Sequence, residues 1–381
     1  MIDGETVTPE KRLQALLEAG QEANRFRWLK EWKARGKKVI GVLDSYVPEE
    51  VIYAAGMLPW QVMGTWRQNT PLALVYRPAN TCRYCAHVLE SLLSGELDDL
   101  DGIVSSDWDD DRRRLFDQWE HLAKASFRHV LHVPVEDSAL TRRYFAGKVT
   151  LLADRLAAFG GVAITGEALD RAIALYNKMR SLVMRVYELR KRAAPPLTGA
   201  EMLGLTTAAL VMPKEEYVGE LEALLPYLET RRPANNALRP RVLVSSDRLD
   251  NPAFLALVEE VGALVAMDDL DTGSRYFWQV VEPAADQMRA LSDRYLTRAP
   301  CPRMLFWDRQ VRQLAAWVGE WQIDGVINFP QRFSYPRLFA TPHFEDQMAK
   351  ANVPFITIER EYYFGNVGQL RTRIGAFVEN L

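Results

Sequence analysis

Hydrophobic and polar positions along this chain follow two rhythms, one that buries a strand and one that turns an apolar face on a helix. The charged start, MIDGETVTPEKRLQALLEAGQEANRFRWLKEWKARGKK, reads as one amphipathic helix. Behind it, Lys37-Lys38-Val39-Ile40-Gly41-Val42-Leu43 is the short β-branched run of a buried parallel strand. Ser45-Tyr46-Val47-Pro48-Glu49-Glu50 carries the signals of a helix entry: a cap at Ser45 or Tyr46, Pro48 in the first turn, and acids at the positive end of the helix dipole. That helix runs to Gly56, and Leu58 to Gly64 predicts a second strand. Asp101 to Ser106 and Phe127 to Pro134 predict two more, with Leu115 to Ala125 helical between them.

From about Ala139 to Leu228 strands give way to helical periodicity over residues 154–159, 169–192 and 215–225, broken at Gly160-Gly161 and Ala194-Pro195-Pro196. The polar stretch Glu229 to Asn236 is the linker candidate. Alternation then resumes: a strand at Arg241 to Ser246, a helix at Pro252 to Gly262, strands at Ala263 to Met267 and Gly325 to Phe329, a helix at His343 to Asn352, and a strand at Pro354 to Glu359. Both halves hold the same strand opening, Asp101-Gly102-Ile103-Val104 and Asp324-Gly325-Val326-Ile327, which hints at a duplicated architecture. The expected fold class is α/β, with two Rossmann- or flavodoxin-like parallel-sheet units facing a cleft and joined by a helical segment. The divisions are an N-terminal helix (1–36), a first α/β domain (37–138), a helical connection (139–239) and a second α/β domain (240–381).

Composition narrows the function. At 381 residues the chain has room for more than one core. A net charge of −3 speaks against electrostatic binding of nucleic acid, which needs clustered Lys and Arg in excess. No run approaches the roughly 18–20 apolar residues of a membrane span, and the start lacks a signal-peptide core, so the expected location is the cytoplasm. Three cysteines, two of them in a C-x-x-C, make no disulfide framework and point to metal or redox use in a reducing compartment. P-loop, G-x-G-x-x-G and G-x-S-x-G motifs are absent from the sequence.

Several segments can carry chemistry. Thr81-Cys82-Arg83-Tyr84-Cys85 stands before a predicted helix, where free N–H groups favour thiolate for metal ligation or attack; two reduced cysteines packed under a helix is the plainer alternative. Asp107-Trp108-Asp109-Asp110-Asp111 can bind a hard cation or supply an acid or base, or can cap the helix whose arginines follow one turn on. Cys301, between Pro300 and Pro302, reads as structural. His129 and His132 face opposite sides of a strand, which argues against a shared metal; His87 and His343 are acid–base candidates, with a packed or solvated histidine the preferred reading of each.

Longer stretches add a resemblance. Val47-Pro48-Glu49-Glu50-Val51-Ile52-Tyr53-Ala54-Ala55-Gly56-Met57-Leu58-Pro59 resembles the amino-terminal signature of the 2-hydroxyacyl-CoA dehydratase and benzoyl-CoA reductase family. Asp269 to Trp278, Ala299 to Met304 and Glu359 to Arg373 are similar to its carboxyl-terminal half. The resemblance implies a chain paired with a homologous subunit in a heterodimer or higher oligomer. It also implies a [4Fe–4S] cluster on three cysteines with one open iron, an ATP-dependent activator that delivers a low-potential electron, and a CoA thioester substrate. Cys82 matches the first ligand position. The other two depart from the pattern, since Asp109 stands where the family has cysteine after a strand and Ser334 where it has Phe-Cys-Asp-Pro; Asp271 replaces a further cysteine of some members. Carboxylate and hydroxyl are harder donors and poor cluster ligands. Three arrangements follow from the resemblance: rearranged ligation by Cys82 and Cys85 with Asp109 or a partner-supplied ligand, Asp109 and Ser334 being the catalytic candidates; a cluster-free CoA-binding or structural partner subunit; or a non-redox acyl-CoA enzyme using the Asp107 to Asp111 group.

Overall fold

The structure, a computed structural model, describes residues 8–232 and 239–381. The leading segment is two helices where the periodicity predicts one, α1 (Pro9–Ala19) and α2 (Phe26–Ala34). They part at Gly20, where an added Cβ would lie 2.5 Å from the Thr207 hydroxyl, so the chain turns where it passes closest to its neighbour. Each helix then buries its own apolar stripe, Leu13, Leu16 and Ala19 on one and Leu29 and Trp32 on the other.

The first sheet unit runs β1 (Val39–Val42), α3 (Glu49–Ala54), β2 (Leu58–Gln61), α4 (Arg83–Leu93), β3 (Gly102–Ser106), α5 (Asp110–Leu122), β4 (Phe127–Leu131). Four long helices follow: α6 (Ala139–Gly160), α7 (Gly166–Leu189), α8 (Gly199–Val211) and α9 (Lys214–Thr230). The second unit runs β5 (Arg241–Ser246), α10 (Ala253–Glu260), β6 (Leu264–Asp269), α11 (Ser274–Phe277), α12 (Gln287–Thr297), α13 (Trp307–Glu320), β7 (Gly325–Phe329), α14 (Tyr335–Lys350), β8 (Phe355–Thr357) and α15 (Val367–Val378). Strand orders are β2-β1-β3-β4 and β6-β5-β7-β8, and every pairing is parallel. The two orders therefore match strand for strand.

The shared Asp-Gly opening has a shared role. Asp101 accepts from the Val39 amide at 2.7 Å and Asp324 from the Arg241 amide at 2.7 Å, so each aspartate ties the start of the third strand of its unit to the start of the first. The glycine behind each lets a neighbour approach: a Cβ on Gly102 would meet Phe127 and one on Gly325 would meet Leu381, both at 2.7 Å.

Two boundaries differ from the sequence reading. Pro48 itself is the N-cap of α3, and the Ser45 hydroxyl that looked like a cap is spent elsewhere, on Asp271. Helix α14 begins at Tyr335, eight residues before the predicted start, because Pro336 sits in the first turn, where its missing N–H costs nothing, and Pro342 is accommodated inside the helix. Of the expected linker, Glu229 and Thr230 close α9, while 233–236 lie outside the described residues.

Helix α8 is buried almost along its whole length and packs on β2 and β6, the edge strands of the two sheets. Its neighbour α7 lies against α3, α9, α11 and α12. The helical segment thus serves both sheets at once. Among the described residues no helix is long and apolar enough to cross a membrane.

Candidate functional site

The carboxyl ends of the strands in both sheets bring their loops together, where open α/β sheets hold ligands. The Ser45 hydroxyl, after β1, donates to Asp271, after β6, at 2.5 Å. Arg248, after β5, donates to Gln61 Oε1 and to the Val62 carbonyl, both at 3.2 Å. Tyr362 donates to Asp250 at 2.6 Å and accepts from the Gly64 amide at 3.0 Å. Loops of one unit are thereby bonded to loops of the other across the cleft.

Cys82 is the N-cap of α4, with no side chain capping the helix, and Cys85 lies one turn in. Both thiols are buried. The Cys82 amide donates to Asp111 at 3.1 Å, and Asp111 is itself held by Arg77. Across the cleft Gln331, after β7, donates its side-chain amide to Cys82 Sγ at 3.3 Å. Burial, then the hydrogen bond and charge of the adjacent Cys82, push the Cys85 thiol well above its ordinary pKa and hold it protonated.

Asp109 and Ser334 occupy the same local station as Cys82, each the N-cap of the helix that follows its strand. The Asp109 carboxylate accepts from the Arg112 amide at 2.7 Å, and Asp110 and Asp111 fill the first turn of α5. The helix-cap reading of the acidic run thus holds for these three. Desolvation raises the Asp109 pKa to about 6, against the pull of Arg112 and its amide, with Asp111 and Asp247 adding to the rise. Ser334 is buried beside Asp247; burial raises the Asp247 pKa while Arg337, Arg275 and the Ser334 hydroxyl lower it. Gln331 thus touches two of the three stations, donating to the Cys82 thiol and accepting from the Ser334 amide at 2.9 Å, while Asp111, two residues after Asp109, accepts from the Cys82 amide.

Sequence reasoning missed the arginines. Arg112, Arg248, Arg275, Arg298, Arg337 and Arg360 are all buried here. Arg275 pairs with Asp269 at 2.9 Å, Arg298 donates to Ser45 at 2.7 Å, and Arg337 donates to Asn328 Oδ1 at 2.9 Å. Burial pulls the Arg360 pKa down to about 10. A signal was present: Arg248, Arg275 and Arg360 each follow a strand end by a few residues, where a solvated charge has no reason to recur.

The remaining candidates sort readily. Cys301 is buried and accepts from the Tyr46 hydroxyl at 3.2 Å. Asp107 pairs with Arg303 and His132, and His129 with Arg155, so the two histidines have separate partners. His87 is buried against the Thr65 carbonyl, and His343 pairs with Asp308.

The family model described as 2-hydroxyglutaryl-CoA dehydratase, D-component, matches residues 44–381. The chain belongs to this dehydratase D-component family. Among its curated relatives, the (R)-phenyllactyl-CoA dehydratase beta subunit of Clostridium sporogenes is 26% identical over 93% of this chain and 94% of its own. A benzoyl-CoA reductase subunit of Thauera aromatica is 27% identical over 96% and 97%. The (R)-2-hydroxyglutaryl-CoA dehydratase subunit beta of Acidaminococcus fermentans is 27% identical over 97% and 100%. The sequence resemblance implies a cluster held on three thiolates. Among the described residues, no group of three or more His, Cys, Asp or Glu side chains is placed to hold a metal ion. Two thiols stand together, but Asp109 is engaged as a helix cap and the third station carries a hydroxyl. The residues of this chain do not fit a cluster held on three cysteines.

Proposed function

We propose that this chain is one subunit of an enzyme of the acyl-CoA dehydratase or aryl-CoA reductase type, a partner that holds the CoA thioester at the cleft beside a homologous subunit. In this reading a [4Fe–4S] cluster on the homologous subunit receives a low-potential electron from an ATP-dependent activator and provides the redox chemistry, in the reducing cytoplasm. The observation that carries it is the donor set: similarity runs the length of the chain, yet only Cys82 and Cys85 remain as soft ligands at the strand-end stations. This chain's own part is to orient and enclose, since its cleft residues are buried and cross-bonded between the two units.

A second reading, rearranged ligation, is favoured by one feature: Cys82 and Cys85 stand within one turn of each other at a helix start that no side chain caps, so both sulfurs can reach one metal centre, which Asp109 or a residue of the partner subunit would complete. Anaerobic purification of the chain alone and with its homologous subunit, followed by iron analysis and dithionite bleaching near roughly 400 nm, separates the two. The proposal expects iron only with the partner and no loss of it in Cys82→Ser. Iron in the chain alone, lost in Cys82→Ser and Cys85→Ser, would establish the second reading in its place.

A further inference from the structure

Two segments adjoin the stations of Cys82 and Ser334: residues 71–80 run into the first, and the opening turns of α14 leave the second. In both the usual arrangement is inverted, with charge pointing in and apolar side chains pointing out. Between Pro71 and Asn80 the only charged residue is Arg77, buried and paired with Asp111. Ala73 is buried as well, its amide donating to Glu90 at 2.8 Å. These two inward anchors, four residues apart, turn Leu72, Leu74, Val75 and Tyr76 to solvent. From Tyr335 to Pro342 the only charged residue is Arg337, again buried, while Tyr335 and Phe339 stand exposed one turn apart with ring centres at 6.1 Å. Exposed acids return further along the helix, at Glu345 and Asp346.

The two segments meet. The Tyr335 hydroxyl donates to the Asn80 carbonyl at 3.5 Å, and the Gln118 side chain, from α5, donates to the Tyr76 carbonyl at 3.0 Å. The patch therefore draws on both sheet units and rims the cleft on the Cys82 side. Its six side chains, about 200 Å² each and exposed by 42 to 77%, present on the order of 700 Å². An ordinary monomer leaves about 300–600 Å² in its largest apolar patch, and a stable interface takes about 800 Å² from each partner. Helix α6 carries another run of exposed apolar residues, Leu140, Tyr144 and Leu151, but Lys148 lies 5.0 Å from the Tyr144 ring centre. An apolar patch with no charge among its exposed side chains suits a permanent subunit better than a passing one.

We propose that this patch seats the homologous subunit, so that the partner covers the cleft beside Cys82. The inference rests on the reading of this chain as one subunit of a two-subunit enzyme. A second copy of this chain would bring the same two thiols, the same aspartate and the same hydroxyl, and would leave the donor set as short as before. A homologous subunit that differs at those stations completes it.

The test mixes the full chain with its purified homologous subunit. Val75→Glu and Phe339→Glu change the two most exposed side chains of the patch, so each isolated variant should melt within about 2 °C of the native chain. Sedimentation and calorimetric titration are expected to show each variant binding the partner at least about tenfold more weakly and the double variant at least about 100-fold, with Leu151→Glu on α6 within about threefold of native. In the native complex iodoacetamide should reach Cys82 at least about tenfold more slowly than in the free chain, and the double variant should lose that protection. A complex that both variants form with unchanged affinity overturns the surface and leaves the two-subunit reading standing. Failure of the native chain to bind the homologous subunit removes that reading and this inference with it. Self-association that Phe339→Glu abolishes would assign the patch to a second copy instead. Binding weakened in the variants without protection of Cys82 in the native complex would overturn the covering of the cleft.

Discussion

The side-chain amide of Gln331, on the loop after β7, donates to Cys82 Sγ, at the start of α4, at 3.3 Å, so a thiol forms part of the seam between the two sheet units. This seam shields a pair of cysteines that sequence alone would rank as reactive.

Native-state alkylation reads that shielding directly. Cys82 and Cys85 are 5% and 0% exposed, and burial holds Cys85 in the thiol form. Iodoacetamide at pH 7.5 should therefore modify both at least about 100-fold more slowly than in the unfolded chain, Cys85 last. Gln331→Ala should speed Cys82 several-fold and leave Cys85 unchanged. Mass spectrometry of time points gives the rates, and equal acceleration at both sites would mean that Gln331 supports the whole loop rather than one thiol.

Asp109 should make the protein less stable as pH rises. Its folded pKa of about 6 lies above the usual 3.8, so the unfolded chain gives up its proton more readily, and the penalty grows from about pH 4 to pH 6 and persists above. Asp109→Asn keeps a competent helix cap and cannot ionise. Urea unfolding should find it more stable than the native protein by about 1–2 kcal/mol at pH 7.5, with the gain vanishing near pH 4.

Two histidines act in the opposite direction. Burial lowers His87 and His129 from 6.5 to about 4, with Arg155 adding to the effect at His129. Unfolding lets both take up protons, so stability present above pH 6.5 is lost as pH falls toward 4, by at most about 3 kcal/mol for each. His87→Gln should flatten that part of the profile, measured as the denaturant midpoint against pH.

The matched aspartates offer a comparison inside one molecule. Asp324→Ala should cost about 1–3 kcal/mol by leaving the Arg241 amide unmet, and Asp101→Ala somewhat more because Asp101 also pairs with Lys33 at 2.6 Å. The sites lie in different sheets, so the double variant should show the sum within about 0.5 kcal/mol. A large deviation would reveal coupling between the sheets.

Strands were the most legible part of this fold, because runs such as Val39–Val42 and Val242–Val244 are buried on both faces and read as unbroken apolar stretches. Helix α8 was not singled out for the same reason in reverse: Met202, Leu205, Ala209 and Leu210 are buried on all sides, so no polar face marks its period. Prolines 336 and 342 hid the first half of α14. At the site, local pattern marked Cys82, Cys85 and the acidic run around Asp109, whereas Ser334 came from the family resemblance alone; Cys82, Asp109 and Ser334 each prove to be the N-cap of a helix. Their surroundings were illegible, because Gln331 meets Cys82 and Arg298 meets Ser45 only through folding of distant segments.

The placement of α8 bears on what can be cut from this protein. Each sheet unit has its own sequence-local set of parallel pairings and could begin to form by itself. Neither half alone can cover a helix that is apolar around its circumference and packs on both β2 and β6. A fragment ending after α8, or one beginning with it, would carry an uncovered oily cylinder and should aggregate, whereas chains expressed together as two complementary pieces would have to meet before either became stable.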